Sequence, residues 1–269
     1  MTHSHRRARG RVARIATLTL VCAVVPMALA GCFGSAPADP SSPPSPVASM
    51  AQPIPTGDGI LTIGALIPLS GANAALGAAE LAGIELAARD IDEAGGMHRS
   101  SIVVLHGDAG DGGSTRASDA VTVFAGRGVD AIVGPSTADV FDAVDAAAAT
   151  AGIPAISAVA DPVSIDEGFA ARLRSSDPTL ADTRFGAESY DATVLIALAA
   201  QLAGDDGRSS IAEFLPAVTS GAAACSSYGE CLASLKAPGG IRYTGVTGQL
   251  TTDAGATSAG ALRLIGLRR

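Results

Sequence analysis

Between residues 60 and 157 the apolar residues fall into two alternating rhythms, and the rest of the chain keeps to neither so cleanly. Leu61 to Pro68 is a short, nearly continuous apolar run closed by a Gly/Asn loop, the form of a strand buried on both faces. Behind it, Leu81, Ile84, Ala88 and Ile91 recur at 3, 4 and 3 spacing and predict a helix over 76–94 with one buried face, ended by Gly95 and Gly96. The alternation repeats. Strands are predicted at 101–105, 131–133 and 154–157, with helices at 114–126 and 137–151 between them. Four successive strand–helix units with short apolar strands predict an α/β fold, a doubly wound parallel sheet covered on both faces.

The second half is less regular. A strong helix is predicted over 185–202, with Tyr190, Val194, Ala197 and Leu198 on one stripe, and another over 211–218 with Pro216 near its end. Past Gly239 the Gly/Thr-rich sequence suggests at most a hairpin, and 262–269 reads as neither a strong strand nor a capped helix.

The two ends of the pattern differ in kind. Five arginines and no acid precede an apolar run from Ile15 to Ala30, too short for a stable membrane span and interrupted by Pro26. Leu29-Ala30-Gly31-Cys32 resembles the bacterial lipobox, which implies a signal peptide over 1–31, cleavage before Cys32 and a lipid on that cysteine. Residues 32–59 are rich in Pro, Ser and Ala and read as an extended tether. A folded domain over 60–269, about 210 residues, follows.

Composition narrows the partners. Loss of the five arginines takes the net charge from −8 to about −13, which argues against nucleic acid and against adhesion to anionic headgroups. Such a domain is expected to be monomeric and held outside the cytoplasm by its lipid. With Cys22 in the leader and Cys32 lipidated, Cys225 and Cys231 remain as an even pair in an oxidising compartment, and a small disulfide loop is expected. Two thiols at this spacing lack the other soft ligands of a zinc site, and no histidine follows His106.

In an open parallel sheet ligands gather beyond the carboxyl ends of the strands, which selects the loops 69–75, 107–114, 134–137 and 158–164. Ser136 and Thr137 are the best side-chain candidates there, since a hydroxyl at a helix start can cap the helix or donate to an anion. Asp108 and Asp111 lack the glycine-and-glutamate frame of a calcium loop and read better as solvated, helix-capping residues. Enzymatic readings fail. Gly134-Pro135-Ser136-Thr137-Ala138 lacks the second glycine of a nucleophile elbow and no histidine follows it. Dinucleotide and phosphate-loop fingerprints are absent, so no cofactor is expected.

Several segments carry a family likeness. Ile63-Gly64-Ala65-Leu66-Ile67-Pro68-Leu69-Ser70-Gly71, Gly83-Ile84-Glu85-Leu86-Ala87 and Ile91-Asp92-Glu93-Ala94-Gly95-Gly96 resemble the opening of the branched-chain amino-acid-binding proteins. These are type I substrate-binding lipoproteins of ABC transporters. The likeness continues through Gly107–Asp111, Ile132–Ser136 and Ala151–Ser157, and returns at Tyr190-Asp191-Ala192 and Gly245–Gly248. It implies a solute-binding component of an importer, with a small polar solute (an amino acid or derivative) and a membrane permease as partners. The family has two α/β lobes, and two such lobes do not fit in about 210 residues. Most of the second lobe is therefore expected to be missing, with a junction between about Ser164 and Phe169. The alternative is a single-lobe remnant or protein-interaction scaffold without transport activity. By resemblance, Ser136 and Thr137 match the loop that takes an amino-acid carboxylate, and Val159 and Asp161 match the next ligand loop. Leu76 stands where many relatives place an aromatic. Asp161, in place of a threonine, would repel a carboxylate and could receive an amine.

Overall fold

The strands alternate their side chains between two cores, and that alternation fixes the layers. The computed structural model describes residues 53–158, 161–248 and 250, and the backbone of 262–265. The expected signal peptide, Cys32, most of the tether and Val159 lie outside the described residues. Three strand–helix units and a fourth strand lead the fold: β1 (Thr62–Ile67), α1 (Ala74–Glu93), β2 (Val103–Asp108), α2 (Arg116–Gly126), β3 (Ala131–Val133), α3 (Ala138–Ala151) and β4 (Ala155–Ala158). Next come α4 (Glu167–Ser176), α5 (Gly186–Ala203), α6 (Arg208–Phe214), α7 (Ala217–Ser220), β5 (Ala223–Cys225), α8 (Tyr228–Ser234), β6 (Ile241–Tyr243) and β7 (Leu262–Ile265).

The main sheet has the order β2-β1-β3-β4-β7, parallel except for β7, which runs antiparallel beside β4. Ile63, Ala65 and Ile67 of β1, Val133 of β3 and Ile156 of β4 join the core under α1 and α5. Leu66, Ile132 and Ala155, one step out of phase, join the core under α2 and α3. The doubly wound sheet is therefore as the sequence predicts, with one such lobe among the described residues. On the second face Phe124 of α2 lies over two glycines: a Cβ at Gly64 would come within 2.6 Å of its ring, and one at Gly107 would too.

Four expectations are corrected. Helix α5 is buried on every side from Gly186 to Ala200, where a single stripe was expected. It packs between α1 and the later elements, so almost no face meets water; its mean composition, rather than any periodicity, carries that information. The expected 211–218 helix is two, α6 and α7, parted at Pro216, which takes the N-cap of α7. The region past Gly239 forms no hairpin among the described residues; β6 instead pairs in parallel with β5. The 262–265 segment is a strand, recruited by the open edge of β4 rather than by its own pattern.

Carboxylates bind these layers together. Asp191 of α5 accepts from Tyr243 Oη (2.7 Å), Val246 N–H (2.9 Å), Thr247 N–H (2.8 Å) and Thr247 Oγ1 (2.6 Å), and so ties the turn after β6 to α5. Asp90 of α1 accepts from Tyr190 of α5 at 2.6 Å and Arg172 of α4 at 2.5 Å. Asp205 and Asp206 take the N–H groups of Thr56, Gly57 and Gly59, so the last residues of the expected tether are fastened to the domain. Cys225 and Cys231 form the expected disulfide, with a Cα separation of 5.2 Å, and clip β5 to α8.

Candidate functional site

Strands β1 and β3 are neighbours, but the chain leaves β1 towards β2 on one side and β3 towards β4 on the other. Helix α1 covers one face and α2 and α3 the other, so the loops after β1 and β3 diverge and open a crevice between them. The sequence-predicted serine loop lies there. Gly134 shapes it: its φ is +91°, its N–H donates to Ile156 O at 2.8 Å, and a Cβ would meet Leu66 O at 2.4 Å. Only glycine suits that position. The chain then turns through a cis Gly134–Pro135 peptide and presents Ser136 to α1.

Ser136 Oγ donates to Glu80 Oε1 at 2.5 Å. Glu80 lies in the second turn of α1 and is 0% exposed; its other oxygen, Oε2, has no hydrogen-bond partner among the described residues. Burial pushes its pKa up to about 8, against the pull of the Ser136 hydroxyl and N–H, with a further push from Glu188. Glu188, in the first turn of α5, is also buried and accepts from Val163 N–H at 2.7 Å; burial raises its pKa as well. Glu80, Ser136, Glu188 and Ser189 close around a gap over Val133 and Ile156 of the sheet that is too tight to admit a water molecule. Among the described residues, two acids and no base line it.

The other sequence-predicted residues take different places. Thr137 is the N-cap of α3, yet its hydroxyl makes no cap hydrogen bond and is buried without a partner. Leu76 is half-buried in the first turn of α1, and Asp161 is exposed; neither lines the pocket around Ser136. Asp108, at the end of β2, accepts from Leu69 N–H (3.0 Å), Ser70 Oγ (2.7 Å), Gly110 N–H (2.9 Å) and Arg116 (2.8 Å). Its work is to stitch the loops at the mouth of the crevice. Although its partial burial pushes the other way, those donors hold its carboxyl low, at about 2.

Glu80, Glu188 and Ser189 were not among the sequence candidates. A signal existed for Glu80: it stands four residues before Ile84, on the face assigned to the core, where an unpaired acid is rare. Glu188 had a weaker one, as an acid in the first turn of a largely apolar helix.

Residues 60–170 match the model of the periplasmic binding protein family. That segment is similar to the family and has the doubly wound fold of one of its lobes. The chain is similar in fold to LivJ, the branched-chain amino acid transporter substrate-binding protein of Streptococcus pneumoniae solved with isoleucine: 16% identity, TM-score 0.55, over 77% of this chain and 99% of that one. Leucine-binding protein LivK of Thermotoga maritima matches at 19% identity and TM-score 0.32, over 36% of this chain and 27% of that one. An R. palustris solute-binding protein solved with 4-hydroxybenzoate matches at 15% identity and TM-score 0.32, over 36% and 26%. The chain thus spans about a quarter of the latter two. No curated protein matches it significantly. LivJ is a transporter substrate-binding protein, and the R. palustris protein is the solute-binding protein of an ABC transporter. No described helix is long and apolar enough to cross a membrane.

Proposed function

We propose that the chain is an extracytoplasmic solute-binding protein of an ABC importer, anchored by a lipid on Cys32, that holds a small polar solute without transforming it. The observation that carries this reading is the Ser136–Glu80 pair at the switch point of a periplasmic-binding-protein lobe. A buried carboxylate there keeps one oxygen unanswered, which a purely structural site would not need. A second reading, a single-lobe remnant or scaffold, is favoured by the sheet topology: one doubly wound sheet is found among the described residues, and one lobe leaves a solute half exposed where binding sites bury roughly 70–90% of it.

A melt of the full chain with a panel of amino acids, small amides and amines separates the two. A solute at a hundred times its dissociation constant adds about 2.7 kcal/mol and raises the midpoint by several degrees. A sharp melt that one compound raises supports a binding protein. A sharp melt that nothing in the panel moves sinks that reading in favour of the scaffold.

A further inference from the structure

We propose that residues 56–59 form a strap latched across the end of the sheet opposite the crevice, and that the strap lets go as negative charge builds around Asp130. The proposal goes beyond solute binding and stands without it. The latch joins backbone to carboxylate. Asp205, just past α5, accepts from Thr56 N–H (3.3 Å) and Gly57 N–H (2.9 Å), and Asp206 accepts from Gly59 N–H at 3.0 Å. Two glycines let the segments cross: a Cβ at Gly57 would overlap Asp206 Oδ1, and one at Gly207 would overlap Thr56 Oγ1. The strap also walls a cavity of about 550 Å³, to which it brings Thr56 and Asp58 and the body of the domain brings Asp130 and Arg208. Asp130 directly precedes β3 and the strap precedes β1, so both lie at the ends of the strands away from the Ser136 loop.

Charge at this end is lopsided. Asp130 accepts from Thr62 N–H at 2.8 Å and feels the carboxylates of Asp58 on the strap and Asp206 in the latch. The cation beside it, Arg208 of α6, commits its guanidinium to three carbonyls, Val129 O (2.8 Å), Ala151 O (3.2 Å) and Ala125 O (3.3 Å). The ends of α2 and α3 bring Gly128, Ala149 and Gly152 to the same cavity and, among the described residues, no further charge. Burial first, then Asp206 and Asp58, push the Asp130 carboxyl up to about 7, against the Thr62 N–H and Arg208. Asp205 goes the other way. Burial pushes it up, but Ser210 and the strap's own N–H groups hold its carboxyl below the ordinary range, so the latch stays charged while Asp130 titrates. The strapped form thus keeps a proton on Asp130 that the released form gives up, and release is favoured as pH rises from the ordinary 3.8 through about 7. It would hand the strap, about 13 Å of extended chain, to the tether.

Hydrogen exchange of the full chain, read by mass spectrometry at pH 5, 6, 7 and 8, tests the latch. After correction for intrinsic rates, exchange of the strap amides should rise at least about 5-fold from pH 5 to pH 8, with a ceiling of about 90-fold were release to return Asp130 wholly to its ordinary 3.8. Amides of β1 and β3 report global opening, which Glu80 also ties to pH, and the strap should exchange faster than they do throughout. Asp130→Asn keeps an oxygen for the Thr62 N–H and should flatten the strap's response. Asp58→Asn, at an exposed position on the strap itself, should blunt it. Gly57→Ala should free the strap at every pH. Any of four results would overturn the proposal: strap exchange flat from pH 5 to pH 8, the same rise in Asp130→Asn, strap and core amides exchanging together, or a strap still protected in Gly57→Ala.

Discussion

Glu80→Gln should make the protein more stable, and increasingly so as pH rises. The folded protein holds the Glu80 carboxyl at about 8 against an ordinary value of 4.5. Between those values the folded state keeps a proton that the unfolded chain has lost, so stability falls as pH rises through this window. The full difference corresponds to about 5 kcal/mol, of which about 3 kcal/mol is expressed at pH 7 and only about 1 kcal/mol at pH 5. Glutamine is neutral throughout and keeps an oxygen for the Ser136 hydroxyl, so it escapes this penalty. Whatever fixed local cost the amide carries, the gap between variant and wild type should widen by about 2 kcal/mol from pH 5 to pH 7. For a domain of this length that is about 4–8 °C in melting midpoint. Thermal melts by circular dichroism at pH 5, 6, 7 and 8 read it directly. Parallel pH profiles for the two proteins would refute the claim that Glu80 is buried without compensation. A widening gap would also show that any binding lost in the variant is not lost to unfolding.

Further outcomes follow from single contacts. Replacing both Cys225 and Cys231 with alanine opens a loop with a sequence separation of 6 and should cost about 2 kcal/mol, lowering the midpoint by about 4–8 °C, as should reduction by dithiothreitol. Gly83→Ala drives a Cβ to 2.0 Å from Gly186 O at the crossing of α1 and α5, and should cost about 1–3 kcal/mol in a urea melt. Asp108→Asn removes a carboxylate that ties Leu69, Ser70, Gly110 and Arg116 together; proteolysis within the loop 107–114 should accelerate while the overall melt moves little. Because those donors hold the Asp108 carboxyl at about 2, its contribution is present above the ordinary value of 3.8 and is lost as pH falls through about 2.

The leading half of the fold was legible because its signals were local. Most strands from Thr62 to Ala158 are short apolar runs, and each helix behind them is punctuated by glycine, so the elements and their right-handed crossovers followed from pattern and handedness. The later half depends on partners far off in sequence. Helix α5 has no polar face because it lies between other elements, and β7 is a strand because β4 offers an edge. Neither fact is written in its own residues. The serine loop was legible from its place after β3, but its partner Glu80 is 56 residues earlier, and only the fold brings the two within 2.5 Å. Helix α4 was passed over although Asp166 announces it, accepting from Phe169 N–H as a capping side chain should.

Two buried acids on the facing helices α1 and α5 separate structural work from solute work. Asp191 has both oxygens answered, by the Tyr243 hydroxyl, two backbone N–H groups and the Thr247 hydroxyl, at 2.6–2.9 Å. Glu80 has one oxygen answered and one bare. Neutralising each by its amide should therefore act in opposite directions. Asp191→Asn turns one acceptor into a donor that faces donors, losing about two charge-assisted hydrogen bonds at roughly 1.5–3 kcal/mol each. A loss of about 3–5 kcal/mol should lower the midpoint by roughly 10 °C at pH 7. Glu80→Gln should raise it under the same conditions. If both substitutions destabilise alike, Glu80 is a structural acid like Asp191 and the pocket has no claim on a solute. Opposite signs would mean that the fold tolerates an uncompensated carboxylate at its switch point, a liability that a protein retains where a ligand answers it.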